Sequence, residues 1–211
     1  RRRTVIKPHQ LRPWFEAVLS LSHAPNGQYR PSTDGAGRDY LLLLILTGLR
    51  NREAATLQWE NVDLTGKTLT VYDTKNRQDH TLPLSDYLFA MLTTRHANRI
   101  NAYVFPAASG NGHLRTSQTS IAKVRAASGV SFTPHDLRRT FATVADSLDI
   151  PGYAVKALLN HKPSDVTAGY IVTDVERLRV PMQRITDYML GTAGLKQGAE
   201  VASMHAVMNT A

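Results

Sequence analysis

Hydrophobic residues recur at helical spacing in the first quarter of the chain. A helix is predicted from residue 8 to about residue 21, where one face carries Leu11, Phe15, Val18 and Leu19. Residues 39–47 are apolar on nearly every side, which predicts a central buried helix that Gly48 ends. A further helix is predicted from residue 51 to about residue 59.

The pattern changes to the period of β-structure after residue 61. Residues 68–73 (TLTVYD) alternate and are rich in β-branched side chains, which predicts a strand, and residues 80–84 predict its partner. The polar residues 74–79 predict the turn of a small antiparallel hairpin, with Lys75 at its tip. Residues 61–66 are predicted to form a turn.

Helix signals return in the second half of the chain. Ser85 predicts the start of a helix to about residue 97, and residues 117–127 predict another, after a short strand at 102–105. The strongest start signal is at Thr133, a capping residue that proline follows directly and an acid follows at the third helical position. This helix is predicted to end near residue 148.

Three further helices are predicted before the C-terminus. Pro151 opens one that ends near residue 160, and a short helix beginning near residue 164 carries Tyr170. Asp174 caps the last helix, which Pro181 is expected to kink or restart because proline lacks an N–H and crowds the preceding turn. The elements together predict a mainly α fold with a small antiparallel β-sheet, of the α+β class.

The chain reads as one domain with short extensions. Residues 1–7 are basic and lack periodicity, which predicts a linker; residues 8–190 form the domain; residues 191–211 are rich in small residues and predict a mobile tail. The opening Arg-Arg-Arg without an initiator Met suggests a fragment of a longer protein. The longest apolar run, residues 40–46, is far too short to cross a bilayer, so no membrane association is expected.

Composition narrows the classes of partner. The 211 residues include no cysteine, which excludes disulfides and thiolate metal sites. The net charge is +8, and basic residues are spread along the whole chain. A basic protein favours a polyanionic partner because each phosphate contact releases counterions, although many basic proteins bind no nucleic acid.

A histidine and an arginine begin the helix after Thr133. His135 and Arg138 are three residues apart, so their side chains lie on one helix face, near an N-terminus that favours anions. The arginine can bind a phosphate through two parallel hydrogen bonds. The alternative is a solvated polar face with His135 as a cap, and for this motif alone that alternative is favoured.

Two more basic residues lie at predicted turns, one after the end of the buried helix and one at the tip of the hairpin. Arg50 follows the glycine that ends the buried helix, and Glu53 is close enough in sequence to orient it. Lys75, on a flexible loop, could be brought into a site as a general acid. Taken singly, Arg50 is an exposed residue after a helix end, and Lys75 is an ordinary polar turn residue.

His161 falls just past a predicted helix end, and Tyr170 follows it on the next short helix. A lone tyrosine is usually a core residue with a hydrogen-bonded hydroxyl, and a lone histidine after a helix is usually a cap. Tyr153 and Tyr188 are rival nucleophiles, but neither has the spacing from His161, and both are predicted to be packing residues.

The order of these weak signals along one chain is more specific than any one of them. Arg, Lys, His-x-x-Arg, His and Tyr, within TGLRNRE, HDLRRTFAT, and LLNHK through GYI, resemble the catalytic domain of tyrosine site-specific recombinases, the phage integrase family. The resemblance extends from about Pro8 to Tyr188. It implies the tyrosine recombinase catalytic-core fold and recombination through a 3′-phosphotyrosine, as in prophage or mobile-element integration and excision.

The resemblance also implies a role for each residue. Arg50 and Arg138 would clamp the scissile phosphate, and Tyr170 would attack it and expel the 5′-hydroxyl. Lys75 would protonate the leaving 5′-oxygen. His135 would assist proton transfer from the tyrosine, and His161 would donate a hydrogen bond to the phosphate.

No cofactor or metal is expected in this site. A tyrosine hydroxyl has a pKa near 10 and needs neighbouring cations and a proton acceptor to act as a nucleophile. Because the phosphotyrosine ester conserves the bond energy, no ATP is needed, and the sequence has no GxxxxGK[ST] loop. It also has no carboxylate cluster for Mg²⁺ and no HExxH pair.

The partners implied by the resemblance are duplex DNA at attachment or recombination sites, a homotetramer on DNA from a chain that is a monomer when isolated, and accessory DNA-bending proteins. The setting implied is the cytoplasm, in a bacterial or phage-encoded system. Family members usually also carry an N-terminal helical DNA-binding domain, and we expect that domain to be absent from this chain. Two departures from the family pattern are Asn160, where many members have glycine, and Pro181, in the segment often passed to a neighbouring protomer.

Two alternatives stay open at this point. A type IB topoisomerase uses a similar site to relax supercoils as a monomer, although the spacing in HDLRRT and LLNHK favours a recombinase. A decayed integrase retained only for DNA binding is the alternative from a different class, and the filled set of expected positions argues against it.

Overall fold

The computed structural model describes residues 4–22, 35–72, 79–161 and 174–195. Eight α-helices are found in these ranges: α1 Pro8–Leu19, α2 Ala36–Thr47, α3 Asn51–Ala55, α4 Asp86–Ala97, α5 Gln118–Ser128, α6 Pro134–Ser147, α7 Gly152–Leu158 and α8 Glu176–Thr192. The same ranges contain three strands, β1 Val62–Asp63, β2 Thr68–Val71 and β3 His80–Pro83, with short 3-10 turns at Ser20–Ser22 and Trp59–Asn61. The predicted fold class, mainly helical with a small antiparallel sheet, is confirmed.

Helix α2 is the centre of the core, as its apolar pattern predicts. Every residue from Ala36 to Thr47 is buried, and the helix packs most extensively against α6. Gly48 ends α2 with a φ of +67°, in the left-handed region that favours glycine. A Cβ atom at Gly48 would lie 2.8 Å from Leu159 and 2.9 Å from Phe141, so the glycine also allows α6 and the end of α7 to approach.

The sheet has one strand more than the predicted hairpin. Strand β2 lies between β1 and β3, and both pairings are antiparallel. Strand β1 forms within residues 61–66, which the sequence pattern assigned to a turn. Only two residues of β1 pair with β2, and a strand that short has no detectable period.

Two other elements differ from the sequence pattern. Helix α3 ends at Ala55, four residues before the predicted end, and the chain then forms the 3-10 turn at Trp59–Asn61. Residues 102–105 do not form a named strand. They make an isolated bridge to residue 58, with hydrogen bonds from Trp59 N to Ala102 O (2.9 Å) and from Val104 N to Leu57 O (2.9 Å).

The structure also differs from the sequence-based predictions at the last helix and at the two ends of the domain. Helix α8 continues through Pro181 as one element, so the predicted restart there is wrong. The helix ends at Thr192 and Ala193 is buried, so residues 191–195 belong to the packed domain, while residues 196–211 lie outside the described residues. At the other end Ile6 is buried and donates its N–H to Thr140 Oγ1 (2.9 Å), so the predicted linker contributes to the core.

None of the helices within the described ranges is long and apolar enough to cross a membrane.

Candidate active site

The structure describes four of the six predicted site residues. Arg50, Arg138 and His161 come together where α2, α6 and α7 meet, and His135 lies at the start of α6. Lys75 and Tyr170 lie outside the described residues, so their predicted positions stay predictions.

Arg50 is held at the start of α3 by a carboxylate from its own helix. It is the N-cap residue of α3, directly after the turn that ends α2. Glu53 accepts from the Arg50 backbone N–H at 2.9 Å and from its Nη1 at 2.7 Å. The Arg50 side chain remains 29% exposed, so the guanidinium is oriented by Glu53 and still open to a ligand.

Arg138 joins three segments that are far apart in sequence. Its side chain is buried, and it donates from Nη1 to the Gly48 carbonyl and from Nη2 to the Leu159 carbonyl, each at 2.5 Å. The first bond reaches the end of α2, two residues before Arg50, and the second reaches the end of α7, two residues before His161. These bonds use two of the five N–H donors of the guanidinium.

The start of α6 is capped as the sequence predicts. Thr133 Oγ1 accepts from the Asp136 N–H (3.3 Å), and the Asp136 carboxylate accepts from the Thr133 N–H (2.9 Å) and hydroxyl (2.7 Å). Burial alone would raise the pKa of Asp136, but the hydrogen bonds from Thr133 hold it below its ordinary value. His135 is the second residue of this capped helix and is exposed.

His161 is presented by the turn that ends α7. Asn160 adopts a left-handed conformation with a φ of 47°, which asparagine tolerates better than most residues. The His161 N–H donates to the Lys156 carbonyl at 2.9 Å. Asn160 therefore provides the turn that glycine would provide, and it leaves the His161 side chain exposed.

The electrostatics of these residues favour an anion. Burial and, to a smaller extent, the Arg50 charge lower the pKa of Arg138, Glu53 opposes them, and the resulting pKa is about 10. Partial burial and the charges of Arg138 and Arg50 also lower the pKa of His161 below its ordinary value. We call Arg50, Glu53, Arg138 and His161 the cation cluster. An anion placed there would relieve the mutual repulsion of the arginines.

A second histidine beside the cation cluster was not singled out by the sequence. His80, the first residue of β3, is buried, and its Nε2 lies 3.0 Å from the Ala157 carbonyl in α7. The pKa of His80 is lowered to about 4, chiefly by burial; the bond to Ala157 and the Glu53 charge oppose the shift, and the Arg138 and Arg50 charges add to it. The sequence feature that could have identified His80 is its place on the apolar face of a predicted strand, where a histidine is unusual.

The rival tyrosines are packing residues in the structure. Tyr153 is partly buried against the core, and the Arg177 guanidinium lies 5.3 Å from the centre of its ring. Tyr188 on α8 is likewise partly buried against the core.

The chain is similar to integrases and recombinases along most of its length. Residues 15–177 match the family model described as the phage integrase family. Prophage integrase IntF of Escherichia coli K12 is 28% identical over 199 residues, which cover 90% of this chain and 40% of that protein. Tyrosine recombinase XerA of Thermococcus kodakarensis is 28% identical over 165 residues, which cover 70% of this chain and 55% of that protein.

Two solved structures share the fold. The integrase from mycobacterium phage Brujita has a TM-score of 0.63 at 20% identity, covering 96% of this chain and 64% of that chain. The XerH site-specific recombinase bound to its difH substrate has a TM-score of 0.61 at 17% identity, covering 76% of this chain and 47% of that chain. The chain thus spans about half the length of the curated relatives it matches. It belongs to the phage integrase family.

Proposed function

We propose that this chain breaks and rejoins DNA strands in site-specific recombination through a covalent 3′-phosphotyrosine at Tyr170, without metal or ATP. The observation that carries the proposal is the cation cluster. Its two arginines are 88 residues apart in sequence, yet the charges of Arg50 and of its hydrogen-bonded partner Glu53 both act on Arg138.

The phosphodiester is the ligand that suits this arrangement. Its single negative charge spreads over two non-bridging oxygens, and attack on phosphorus builds further charge on the equatorial oxygens. Arg50 and Arg138 would neutralise that charge, with Arg138 held rigidly by the Gly48 and Leu159 carbonyls. Donors that are already oriented need no rearrangement when the charge develops, which is why such groups lower a barrier effectively.

Three further groups complete the proposed reaction. His161, whose pKa is lowered by partial burial and by the charges of Arg138 and Arg50, would donate a ring N–H to a non-bridging oxygen. His135, exposed at the capped start of α6, would accept the Tyr170 proton. Lys75 would protonate the departing 5′-oxygen, and rejoining would reverse each of these transfers.

Duplex DNA is the proposed partner. The XerH recombinase was solved with its difH substrate, and the Tn1549 transposon integrase with transposon right end DNA. The net charge of +8 suits the same ligand. On DNA we propose a homotetramer assisted by DNA-bending proteins, acting in the cytoplasm on the integration and excision of a prophage or mobile element.

The test is a covalent trap. A pool of nicked suicide duplexes with randomised sequence around the nick is incubated with the protein in EDTA, and SDS-resistant adducts are sequenced. We expect adducts with the wild-type chain and with Tyr153→Phe and Tyr188→Phe, and none with Tyr170→Phe. An adduct in Tyr170→Phe would contradict the assignment of the nucleophile, and a requirement for added Mg²⁺ would contradict metal independence.

A further inference from the structure

Helix α7 ends in a turn whose backbone carbonyls accept hydrogen bonds from side chains of two other elements. A helix leaves its last carbonyls without partners inside the helix, and α7 has only seven residues. Arg138 of α6 takes the Leu159 carbonyl, and His80 of β3 takes the Ala157 carbonyl, which also accepts from the Asn160 N–H at 3.0 Å. The residues that follow this turn include His161 of the cation cluster.

The bond to the Ala157 carbonyl determines which ring nitrogen of His80 carries the proton. A carbonyl can only accept, so Nε2 must be the protonated nitrogen, and a neutral ring then has a bare acceptor at Nδ1. His80 is 6% exposed, and Nδ1 has no hydrogen-bond partner among the residues the structure describes. The charged groups that act on the ring are Glu53, Arg138 and Arg50.

Stability alone does not explain a histidine at this position. His80 and Leu82 lie on the buried face of β3, and Thr81 between them is exposed. A leucine at position 80 would bury without cost, whereas an unsatisfied buried polar atom costs about 1–3 kcal/mol. The imidazole is therefore a poor choice for packing and a good one for reaching a carbonyl on α7.

We propose that His80 is a positioning residue, whose Nε2–H holds the Ala157 carbonyl and so fixes the turn that presents His161 to the phosphate. Arg138, on α6, binds the same turn through the Leu159 carbonyl. Strand β3 is thereby tied to α7, and the placement of His161 depends on the sheet as well as on the helices. The role of His161 in this statement rests on the proposed function.

Three variants separate positioning from stability. His80→Leu keeps the volume and removes the donor, and His80→Gln restores an N–H donor at similar reach. His113→Leu is the matched control, because His113 also has a ring nitrogen close to a backbone carbonyl (Nδ1 to Leu114 O, 3.1 Å). The readouts are long-range ¹H–¹⁵N spectra of histidine-labelled protein, the rate of adduct formation and the midpoint of thermal unfolding.

We expect His80→Leu to shift the His161 ring resonances and its titration midpoint, and to slow adduct formation by about tenfold to a hundredfold, without lowering the unfolding midpoint. His80→Gln should recover most of the rate, and His113→Leu should change neither. In the wild-type protein the His80 proton should reside on Nε2 from about pH 5 to about pH 8.

Unchanged His161 resonances in His80→Leu, or a rate loss that follows unfolding in both variants, would overturn the proposal. If His80→Leu fails to fold, the tautomer in the wild-type protein decides, and a proton on Nδ1 contradicts the proposal. If the wild-type chain forms no adduct, the proposed function fails, while the spectra still judge His80 independently.

Discussion

The two ends of α2 carry arginine clusters that use their carboxylates differently. At the N-terminal end, Asp39 accepts from Arg38 Nε at 2.6 Å with one oxygen and from Arg95 Nη1 at 2.9 Å with the other. At the C-terminal end, both oxygens of Glu53 go to Arg50, and Arg138 donates to backbone carbonyls. Asp39 therefore bonds to both arginines of its cluster. Glu53 bonds only to Arg50, so the side chain of Arg138 is hydrogen-bonded to backbone carbonyls instead.

The pKa values follow this difference. Burial would raise the pKa of Asp39, but Arg38 and Arg95 hold it below its ordinary value, and each of these arginines is paired with the carboxylate. Burial and Arg50 lower the pKa of Arg138 to about 10, so its positive charge is disfavoured where it stands. Buried arginines mark an anion site only where the neighbouring carboxylates do not already bond to each of them.

Removing the Asp39 carboxylate, which pairs with both Arg38 and Arg95, should have the largest effect. In Asp39→Ala, Arg38 and Arg95 lose a shared partner in the core, and breaking a buried ion pair costs about 3–5 kcal/mol. Urea unfolding measures that loss in the free energy of unfolding. Arg12→Ala, which breaks an exposed pair with Glu16, is the control and should change stability by less than about 1 kcal/mol. Equal effects would mean that the Asp39 cluster is not a structural one.

Removing an arginine from the cation cluster should instead reduce catalysis. Arg138→Ala should slow adduct formation by about a hundredfold to a thousandfold, as expected when an oriented donor to developing charge is lost. Arg139→Ala changes the next residue on α6, which pairs with Asp136 at 3.1 Å, and should stay within about tenfold of wild type. A similar rate in both variants would contradict the role of Arg138.

Acid should weaken the ion pairs that Asp39 makes at the N-terminal end of α2. The pKa of Asp39 is lowered in the folded protein, so its stabilisation is complete above the unfolded-state pKa of about 4 and is lost as the pH falls below it. The free energy of unfolding of wild type should therefore decline below about pH 4. In Asp39→Asn that decline should be shallower, and an unchanged slope would show that Asp39 does not contribute.

The smallest effect is expected at the helix that presents His135 and Arg138. Thr133→Ala removes the α6 cap and should cost about 1 kcal/mol of unfolding free energy. Ser85→Ala removes a longer cap bond, 3.5 Å from Oγ to the Leu88 N–H, and should cost less. Thermal unfolding of both variants compares them, and a larger loss in Ser85→Ala would contradict the ranking.

Features that depend on residues close together in the sequence were predicted correctly. Thr133, Pro134 and Asp136 predicted the start of α6 because a capping box lies within four residues. Gly48 predicted the end of α2 because left-handed backbone favours glycine. Strand β1 was missed because two paired residues have no period. Of the two outcomes expected at Pro181, a kink or a restart of the helix, the restart does not occur, since α8 continues through the proline.

The site needed both motif order and tertiary contacts. The resemblance selected Arg50, Arg138 and His161, but the bonds from Arg138 to Gly48 and Leu159 span 90 and 21 residues and have no local signal. His80 was missed for the same reason, since its partner in α7 is 77 residues away. Lys75 and Tyr170 stay predictions.

The proposed role of the arginines in the cation cluster is to neutralise the scissile phosphate. A suicide duplex with a methylphosphonate at the scissile position has one negative charge fewer on its non-bridging atoms, so it should need Arg138 less. We expect adduct formation by Arg138→Ala to recover on this substrate, while Tyr170→Phe remains inactive. If Arg138→Ala is as impaired on the methylphosphonate as on the phosphodiester, the cluster does not act on that charge.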